Sequence, residues 1–330
     1  MRLPALVAVV LLALAPRPAA ASVGFQTLAA PDGAAKPLVI GVWYPSDGAE
    51  TPQRLGLSDQ SVAPAGPVVG DKHPLVIMSH GTGGWFASHV DTALALARAG
   101  FIVAAVSHTG DTWEDRTHAA DVDTRPAQLR HALDYVLNDW SGRAHIAADR
   151  IGVFGFSSGG FTGLVAIGGV PNFSGERAHC QAHPDYFDCG VVRAAPSGHV
   201  ERIMAIPASD WAAERDPRIK AAVIAAPALG YTFGREGLKD ISVPIQLWRA
   251  QNDHILPNPE YAEAVRASLP RPAEYHVVAN ADHYDFLSPC NAQAMKTNAD
   301  ICTSAPGFDR AAFHAEFDAQ VVRFFEQTLK

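Results

Sequence analysis

Short apolar runs bounded by turn residues recur along the chain, and segments with helical periodicity lie between them. Most of these runs are apolar throughout and do not alternate with polar residues, which is typical of strands buried on both faces of a sheet. The predicted strands are 38–45, 74–80, 101–108, 150–156, 219–228, 243–250 and 274–280. This pattern predicts an α/β fold in which a mostly parallel central sheet is flanked by helices.

The segments with helical periodicity fall where a parallel sheet needs crossover connections. The predicted helices are 87–99, 126–139, 158–168, 258–268 and 309–328. In the last of them, apolar residues recur at spacings of three and four and form one face, which comprises Phe313, Phe317, Val321, Phe324, Phe325 and Leu329. We expect this helix to lie along the sheet and to close the fold.

The stretch 169–217 interrupts the alternation of strands and helices. It contains two cysteines, several prolines and glycines, and little periodicity. It follows the helix predicted at 158–168, so we expect a lid-like insertion over the functional edge of the sheet. Residues 22–330 are long enough to bury one large core, and they are predicted to form a single domain that contains this insertion.

Residues 1–21 have the pattern of a secretory signal peptide, with a basic start, an apolar run and a small-residue end. Ala19 and Ala21 provide the small residues that a signal peptidase requires, so cleavage is predicted before Ser22. The apolar run is too short for a comfortable membrane span, and no cysteine follows it as a lipid acceptor. The mature protein is therefore predicted to be secreted or periplasmic, without a stable membrane anchor.

The charge balance argues against a nucleic-acid partner. The full chain has 26 Lys and Arg against 34 Asp and Glu, and loss of Arg2 and Arg17 with the leader would leave a formal charge of −10. The sequence has no block of basic residues of the kind that binds a phosphate backbone.

Four cysteines, all in the second half of the chain, are predicted to form disulfides if the protein is exported. They are Cys180, Cys189, Cys290 and Cys302. Four cysteines allow three pairings, and the local one closes two short loops, Cys180 with Cys189 and Cys290 with Cys302. A metal site is disfavoured because no CxxC or HxxxH spacing occurs among them.

The run Gly155-Phe156-Ser157-Ser158-Gly159 fits the G-x-S-x-G pattern, between a predicted strand and a predicted helix. This is the context of a nucleophile elbow, a tight turn that holds a serine in a strained conformation above the sheet. Ser157 is the predicted catalytic nucleophile, and the N–H of Ser158 is predicted to contribute to an oxyanion hole. Ser158 is the rival nucleophile, but it lies one residue past the apex of the elbow.

The loop 80–84, with sequence HGTGG, directly follows another predicted strand. It matches the glycine-rich loop that supplies the second oxyanion donor, and we assign that donor to the N–H of Thr82. His80 belongs to the loop and is expected to orient it through hydrogen bonds. Trp85 and Phe86 come next and are candidate substrate-binding residues of an acyl pocket, with packing in the core as the alternative.

A serine hydroxyl needs an imidazole to accept its proton, and the imidazole needs a carboxylate to orient it. In this type of sheet both partners follow later strands, in the order Asp or Glu and then His. Asp253 and His283 lie directly after the strands 243–250 and 274–280, and we predict that they complete a catalytic triad. Asp240 and His276 lie at the opposite strand ends and are disfavoured, whereas Asp282, Asp285 and His254 are alternatives close in sequence.

The loop 108–123 gathers five carboxylates and two histidines. It has neither EF-hand spacing nor an H-E-x-x-H motif, so a solvated acidic loop at the rim of the pocket is favoured over a metal site.

With these residues placed, the chain resembles an α/β-hydrolase over nearly all of its mature length. It is similar to bacterial exported proteins described as predicted dienelactone hydrolases, and through them to secreted platelet-activating factor acetylhydrolases. The resemblance rests on GVWYPS, SHGTGG, SHTGDTWED, GVFGFSSGGFTGLVAIGG, DPRIKAAVIAAPALG, LWRAQNDHILP and ADHYDFLSPC. True dienelactone hydrolases have a cysteine nucleophile, whereas this chain has Ser157.

The resemblance implies a serine hydrolase that acts on a small-molecule or lipid ester without a metal or an organic cofactor. Alternative substrates for the same triad are phospholipids, lactones and polyesters. The alternative function of another class is that of a secreted binding protein that has kept the fold but has lost catalytic activity. The sequence leaves the acyl group, the alcohol and the oligomeric state open.

Overall fold

A ten-stranded sheet runs through the computed structural model, which describes residues 22–33 and 35–330. The signal peptide predicted at 1–21 lies outside the described residues. The strands are β1 (Ser22–Ala30), β2 (Leu38–Ser46), β3 (Thr51–Leu55), β4 (Ser58–Pro64), β5 (His73–Ser79), β6 (Ile102–Ser107), β7 (Ile146–Phe156), β8 (Ile219–Ala225), β9 (Ile245–Ala250) and β10 (Glu274–Val278). All seven strands predicted from the sequence are present, and β1, β3 and β4 are additional.

Twelve α-helices are formed within the same described residues. They are α1 (Val90–Arg98), α2 (Thr124–Asn138), α3 (Ser158–Ala166), α4 (Glu176–Ala182), α5 (Phe187–Ala194), α6 (His199–Met204), α7 (Ala208–Ala213), α8 (Arg235–Leu238), α9 (Ala262–Ser268), α10 (Ala294–Thr297), α11 (Ala299–Cys302) and α12 (Arg310–Leu329). No helix of residues 22–33 and 35–330 is long and apolar enough to cross a membrane.

The strand order is β10-β9-β8-β7-β5-β6-β2-β1-β4-β3. The six strands from β10 to β6 pair in parallel, whereas β2 pairs antiparallel with both β6 and β1. The sheet is therefore mixed and mostly parallel in its centre, as the apolar runs predicted. The carboxyl ends of β5, β7, β9 and β10 meet at one edge of the sheet.

Two apolar cores lie on opposite faces of the sheet. Helices α1 and α12 cover one face, and α2, α3 and α9 cover the other. The apolar face predicted for the last helix is buried at Phe317, Val321 and Phe325, and Asp309 caps the start of α12 by accepting a hydrogen bond from the N–H of Ala312 at 3.0 Å. This helix lies along the sheet as expected.

The stretch 169–217 forms the four short helices α4 to α7, which the sequence did not predict. A disulfide joins Cys180 of α4 to Cys189 of α5, and a second joins Cys290 to Cys302 of α11. Both pairings are the local ones. Side chains of α5 and α6 line a pocket beside Ser157, so the segment lies over the strand ends. Its behaviour as a lid and the division into one domain with an insertion stay predictions.

Candidate active site

The turn between β7 and α3 holds Ser157 in a strained conformation, with φ at 55° and ψ at −119°. The glycines two residues away are required by the close approach of backbone on both sides. A Cβ on Gly155 would lie 2.1 Å from the carbonyl oxygen of Gly159, and a Cβ on Gly159 would lie 1.9 Å from the carbonyl oxygen of Ser79. Real Cβ atoms do not approach this closely, so only glycine allows the turn to form against β5.

His283 and Asp253 are brought together although they are 30 residues apart. Nδ1 of His283 lies 2.8 Å from Oδ2 of Asp253, and the two side chains are 2% and 5% exposed. The other oxygen of Asp253 accepts hydrogen bonds from the N–H groups of Ile255 and Leu256, at 3.1 and 2.7 Å. Because a carboxylate only accepts, the proton of the neutral imidazole is on Nδ1, which leaves Nε2 free to accept a proton.

The nearby acidic alternatives hold the turn that carries His283. Asp282 accepts a hydrogen bond from the N–H of His283 at 2.7 Å and pairs with the exposed side chain of His254. Asp285 accepts from the N–H of Asp282 at 2.8 Å and from Nε of Arg310 at 3.1 Å. The structure thus places these three alternatives around the base, and only Asp253 contacts the imidazole ring through its carboxylate.

Ser157 and His283 line the same cavity, which has a volume of about 610 Å³. The ring of Phe156 packs against the imidazole with centroids 4.8 Å apart. Among the described residues, no hydrogen bond joins the Ser157 hydroxyl to the imidazole. Serine–histidine hydrogen bonds are often long without substrate, and they shorten when the substrate binds.

Two backbone donors flank Ser157. The N–H groups of Thr82 and Ser158 have no acceptor within the described part of the chain. The hydroxyls of the same two residues lie 2.5 Å apart and join the loop 80–84 to the start of α3. Unpaired N–H groups of this kind are suited to bind a developing oxyanion.

His80 uses both of its ring nitrogens to hold the glycine-rich loop. Nδ1 donates to the carbonyl of Gly81 at 2.6 Å, and Nε2 accepts from the N–H of His108 at 3.0 Å. Burial lowers the pKa of His80 well below its usual value, and the nearby charge of Arg125 lowers it further. His80 is therefore neutral and already fully hydrogen-bonded.

A buried ion pair, which the sequence did not predict, lies behind this loop. Asp111 accepts a hydrogen bond from the N–H of Gly83 at 2.7 Å and pairs with Arg125, and the two side chains are 3% and 2% exposed. Arg125 also donates to the carbonyl of His80 and to the hydroxyl of Thr162, the latter at 3.2 Å. Asp111 is therefore not a solvated member of the acidic loop, and that expectation was wrong for this residue.

Two of the four remaining carboxylates of the acidic loop, Asp121 and Asp123, are paired with the helical insertion. Arg202 of α6 donates to Asp123 at 2.7 Å and also bonds to Asp121, which in turn lies 3.2 Å from Nδ1 of His199. These contacts attach the loop 108–123 to the segment that covers the strand ends.

Two cavities meet at the serine, and we name them the inner pocket and the outer groove. The inner pocket, about 40 Å³, lies under α4 to α6, and the outer groove is the cavity of about 610 Å³. Thr82, Ser157 and Phe187 line both of them. Ser158 lines the inner pocket alone, and His283 lines the outer groove alone.

The two predicted substrate-binding aromatic residues have different surroundings. Trp85 lines the outer groove. Phe86 lines neither cavity, because its ring is buried in the core against Phe25 and Trp43, with centroids 6.4 and 6.1 Å away. The structure thus corrects the assignment of Phe86: it packs in the core.

The comparisons with known proteins agree with this architecture. The family model for platelet-activating factor acetylhydrolase, isoform II, matches residues 60–125, which include the loop 80–84. The structure is similar to a ferulic acid esterase from Streptomyces cinnamoneus, with a TM-score of 0.64 and 20% identity over 96% of this chain and 92% of that one. No curated protein matches the chain. The chain therefore has the α/β-hydrolase fold and resembles platelet-activating factor acetylhydrolases over residues 60–125.

Proposed function

We propose that this protein is a serine hydrolase that cleaves carboxylic esters through Ser157, His283 and Asp253. The observation that carries the proposal is the strained serine flanked by two free N–H groups, in a cavity shared with an imidazole that a buried carboxylate orients. The names of the matching family and of the similar structure are both those of ester hydrolases.

The proposed reaction has two halves. The Ser157 oxygen attacks the ester carbonyl while Nε2 of His283 takes the hydroxyl proton, and the carboxylate of Asp253 stabilises the imidazolium that forms. The N–H groups of Thr82 and Ser158 bind the oxyanion. The imidazolium then gives its proton to the leaving alcohol, which leaves an acyl-enzyme on Ser157.

Water completes the second half of the cycle. Nε2 of His283 takes a proton from the attacking water, the tetrahedral intermediate forms in the same oxyanion hole, and the proton returns to Ser157 as the acid departs. Each step uses groups of this chain and one water molecule.

We also propose that the protein acts outside the cytoplasm after loss of residues 1–21. Two disulfides, Cys180–Cys189 and Cys290–Cys302, support this because disulfides persist mainly in oxidising compartments. The N-terminal residue of the protein recovered from the expressing cells, read by mass spectrometry, is expected to be Ser22. An intact Met1 would contradict export by this leader.

The proposed chemistry is tested by Ser157→Ala in the mature protein. Turnover of p-nitrophenyl butyrate should fall by about 10⁴-fold or more, and a fluorophosphonate probe should no longer label the protein. Ser158→Ala is the matched control for labelling, because it keeps the Ser157 hydroxyl and its own N–H, so the probe should still react. Labelling of the Ser157→Ala protein at the wild-type rate, or no labelling of the wild-type protein, would contradict the proposal.

A further inference from the structure

The two cavities that meet at Ser157 differ in their charged residues. Glu176 and Asp188 line the inner pocket, whose other lining residues are mostly apolar, and within the described residues no Lys or Arg lines it. The side chains of Arg54 and Arg116 line the outer groove, and in the same part of the chain no Asp or Glu does. The chain as a whole has an excess of acidic residues, so the basic residues of the outer groove stand out. A substrate that spans both cavities would meet acidic residues with one half and basic residues with the other.

If the protein hydrolyses esters as proposed, the position of the His283 imidazole determines which half of the ester lies in which cavity. The proton that His283 takes from Ser157 must pass to the oxygen of the leaving alcohol, so the alcohol lies on the side of the imidazole. His283 lines the outer groove and not the inner pocket. The alcohol therefore occupies the outer groove, and the acyl group points into the inner pocket.

The inner pocket suits an uncharged acyl group of limited length. Its volume of about 40 Å³ holds roughly three water-sized groups, at about 10–15 Å³ for each. Glu176 and Asp188 accept hydrogen bonds from the hydroxyls of Tyr231 and Tyr261, at 2.7 and 2.9 Å, and Asp188 also lies 3.6 Å from Nε2 of His179. Burial raises the pKa of Glu176, which shows that this site disfavours an ionised carboxyl group. A negative charge on the acyl group would meet the same desolvation cost there.

Arg116 is the cation in the outer groove that is free to bind a ligand. Its guanidinium lies against Gly83, where an added Cβ would be 2.8 Å from Nε, and thus beside the loop that carries Thr82. The nearby carboxylate of Asp111 is already paired with Arg125. Among the described residues the Arg116 guanidinium has no hydrogen-bond or ion-pair partner, whereas Arg54 lies 3.8 Å from an exposed carboxylate.

We propose that the preferred substrates are esters of an uncharged acid with an alcohol that carries an anionic group, a carboxylate or a phosphate, which Arg116 binds. The aromatic side chains of Trp85, Trp113 and Tyr284 line the same groove, and Trp113 is 61% exposed, so they offer flat surfaces for the body of the alcohol. The inference rests on the proposed hydrolysis and adds the side of the ester on which charge is accepted.

The test uses phenyl butyrates that differ only at the para position of the leaving phenol, followed by acid release in a pH-stat. The para groups are a carboxamide, a carboxylate and a phosphate, and the fourth substrate is phenyl hydrogen succinate, which carries its charge on the acyl side. We expect KM to be about tenfold lower for the better of the two anionic phenols than for the carboxamide, and phenyl hydrogen succinate to be the poorest substrate.

Arg116→Gln should raise KM for the anionic phenyl esters about tenfold more than it raises KM for the carboxamide ester. Arg271→Gln removes the same charge from the opposite end of the strands, just before β10, and should change neither value. The carboxylate and phosphate esters show which anion the groove accepts.

The outcomes separate this inference from the proposed function. If none of the four esters is cleaved, the hydrolase proposal fails. If the carboxamide ester is cleaved but the anionic phenyl esters have no advantage, or keep it in Arg116→Gln, the inference is wrong while the hydrolase proposal stands. Preferred cleavage of phenyl hydrogen succinate would overturn the assignment of the acyl and alcohol sides.

Discussion

The buried pair of Asp111 and Arg125 offers a direct test of how the oxyanion loop is held. We consider Asp111→Asn, Arg125→Met and the double variant. Asparagine has nearly the shape of aspartate and can still accept the hydrogen bond from the N–H of Gly83, but it leaves the cation of Arg125 buried without a counterion. Methionine removes that cation and also the hydrogen bonds to the His80 carbonyl and the Thr162 hydroxyl.

The magnitudes follow from the burial of both groups. Burial raises the pKa of Asp111 and lowers the pKa of Arg125, each against the attraction of the other, so desolvation is a large cost in this pair. Removing one partner of such a pair costs about 3–5 kcal/mol, whereas removing both is often nearly neutral. We expect Asp111→Asn to lower the free energy of unfolding by about 3 kcal/mol, and the double variant to recover at least about 2 kcal/mol of the summed losses.

Catalysis should not recover with stability in the double variant. Without Arg125, the link from the His80 carbonyl to α3 through the Thr162 hydroxyl is lost. The contact between the Thr82 and Ser158 hydroxyls remains, so we expect the N–H of Thr82 to be held less firmly relative to the N–H of Ser158. Loss of one oxyanion donor lowers kcat by about 10²–10³-fold, which sets the upper limit of the effect.

The assay combines urea unfolding followed by tryptophan fluorescence with kcat for p-nitrophenyl butyrate. The reasoning is refuted if Asp111→Asn loses less than about 1 kcal/mol, or if the losses of the two single variants simply add in the double variant. A double variant with wild-type kcat would show that the pair does not position the loop.

Three further changes test other parts of the structure. Gly159→Ala should destabilise the protein by several kcal/mol in urea unfolding, because the new Cβ would meet the Ser79 carbonyl oxygen at 1.9 Å; a wild-type unfolding curve would contradict this. Replacing Cys290 and Cys302 by serine should cost about 3 kcal/mol, the loop-closure entropy for a separation of 12, and an unchanged midpoint would count against it. Burial and the nearby charge of Asp91 raise the pKa of Asp318 from 3.8 to about 7, so stability should fall by a few kcal/mol as pH rises from about 4 to 7. Urea unfolding at pH 4 and pH 7 measures this fall. Asp318→Asn should reduce it, and His314, whose pKa is also raised, should keep part of it; an equal fall in both proteins would contradict the prediction.

The central strands and the placing of the candidate site could be predicted because they follow from local patterns. Runs such as 150–156 are buried on both faces and read as strands without any knowledge of their neighbours. Ser157, Asp253 and His283 each follow a strand, and parallel strands bring such positions to one edge of the sheet. The glycines at 155 and 159 mark the turn for a reason that is local too, since backbone lies within 2.1 Å of where their side chains would begin.

The missed elements lack such local patterns. Strand β3 is five residues long and largely exposed, so its sequence has no buried face to show. The helices of the insertion have six to eight residues, about two turns, which is too short for an apolar periodicity to stand out. They are held in place by packing, by the Cys180–Cys189 disulfide and by contacts with the acidic loop.

The surroundings of individual side chains also could not be predicted from the sequence. Phe86 follows the oxyanion loop directly, and only the positions of Phe25 and Trp43 on the first two strands show that its ring belongs in the core. Asp111 lies among other acidic residues in the sequence, which suggested a solvated loop. Its partner, Arg125, lies 14 residues later in the first turn of α2, and nothing in the spacing shows that both side chains turn inward.

The two halves of the proposed oxyanion hole are therefore held by different physical means. Ser158 is placed by backbone sterics, through glycines that no other residue can replace, and this leaves a signature in the sequence. Thr82 is placed by a loop whose position depends on a desolvated ion pair. An apolar pair of the same size could be as stable, but it could not accept from the Gly83 N–H and donate to the His80 carbonyl and the Thr162 hydroxyl at the same time. We therefore expect the charges at this point to position the loop. A double variant of Asp111 and Arg125 that loses kcat with little loss of stability would distinguish this role from a purely structural one.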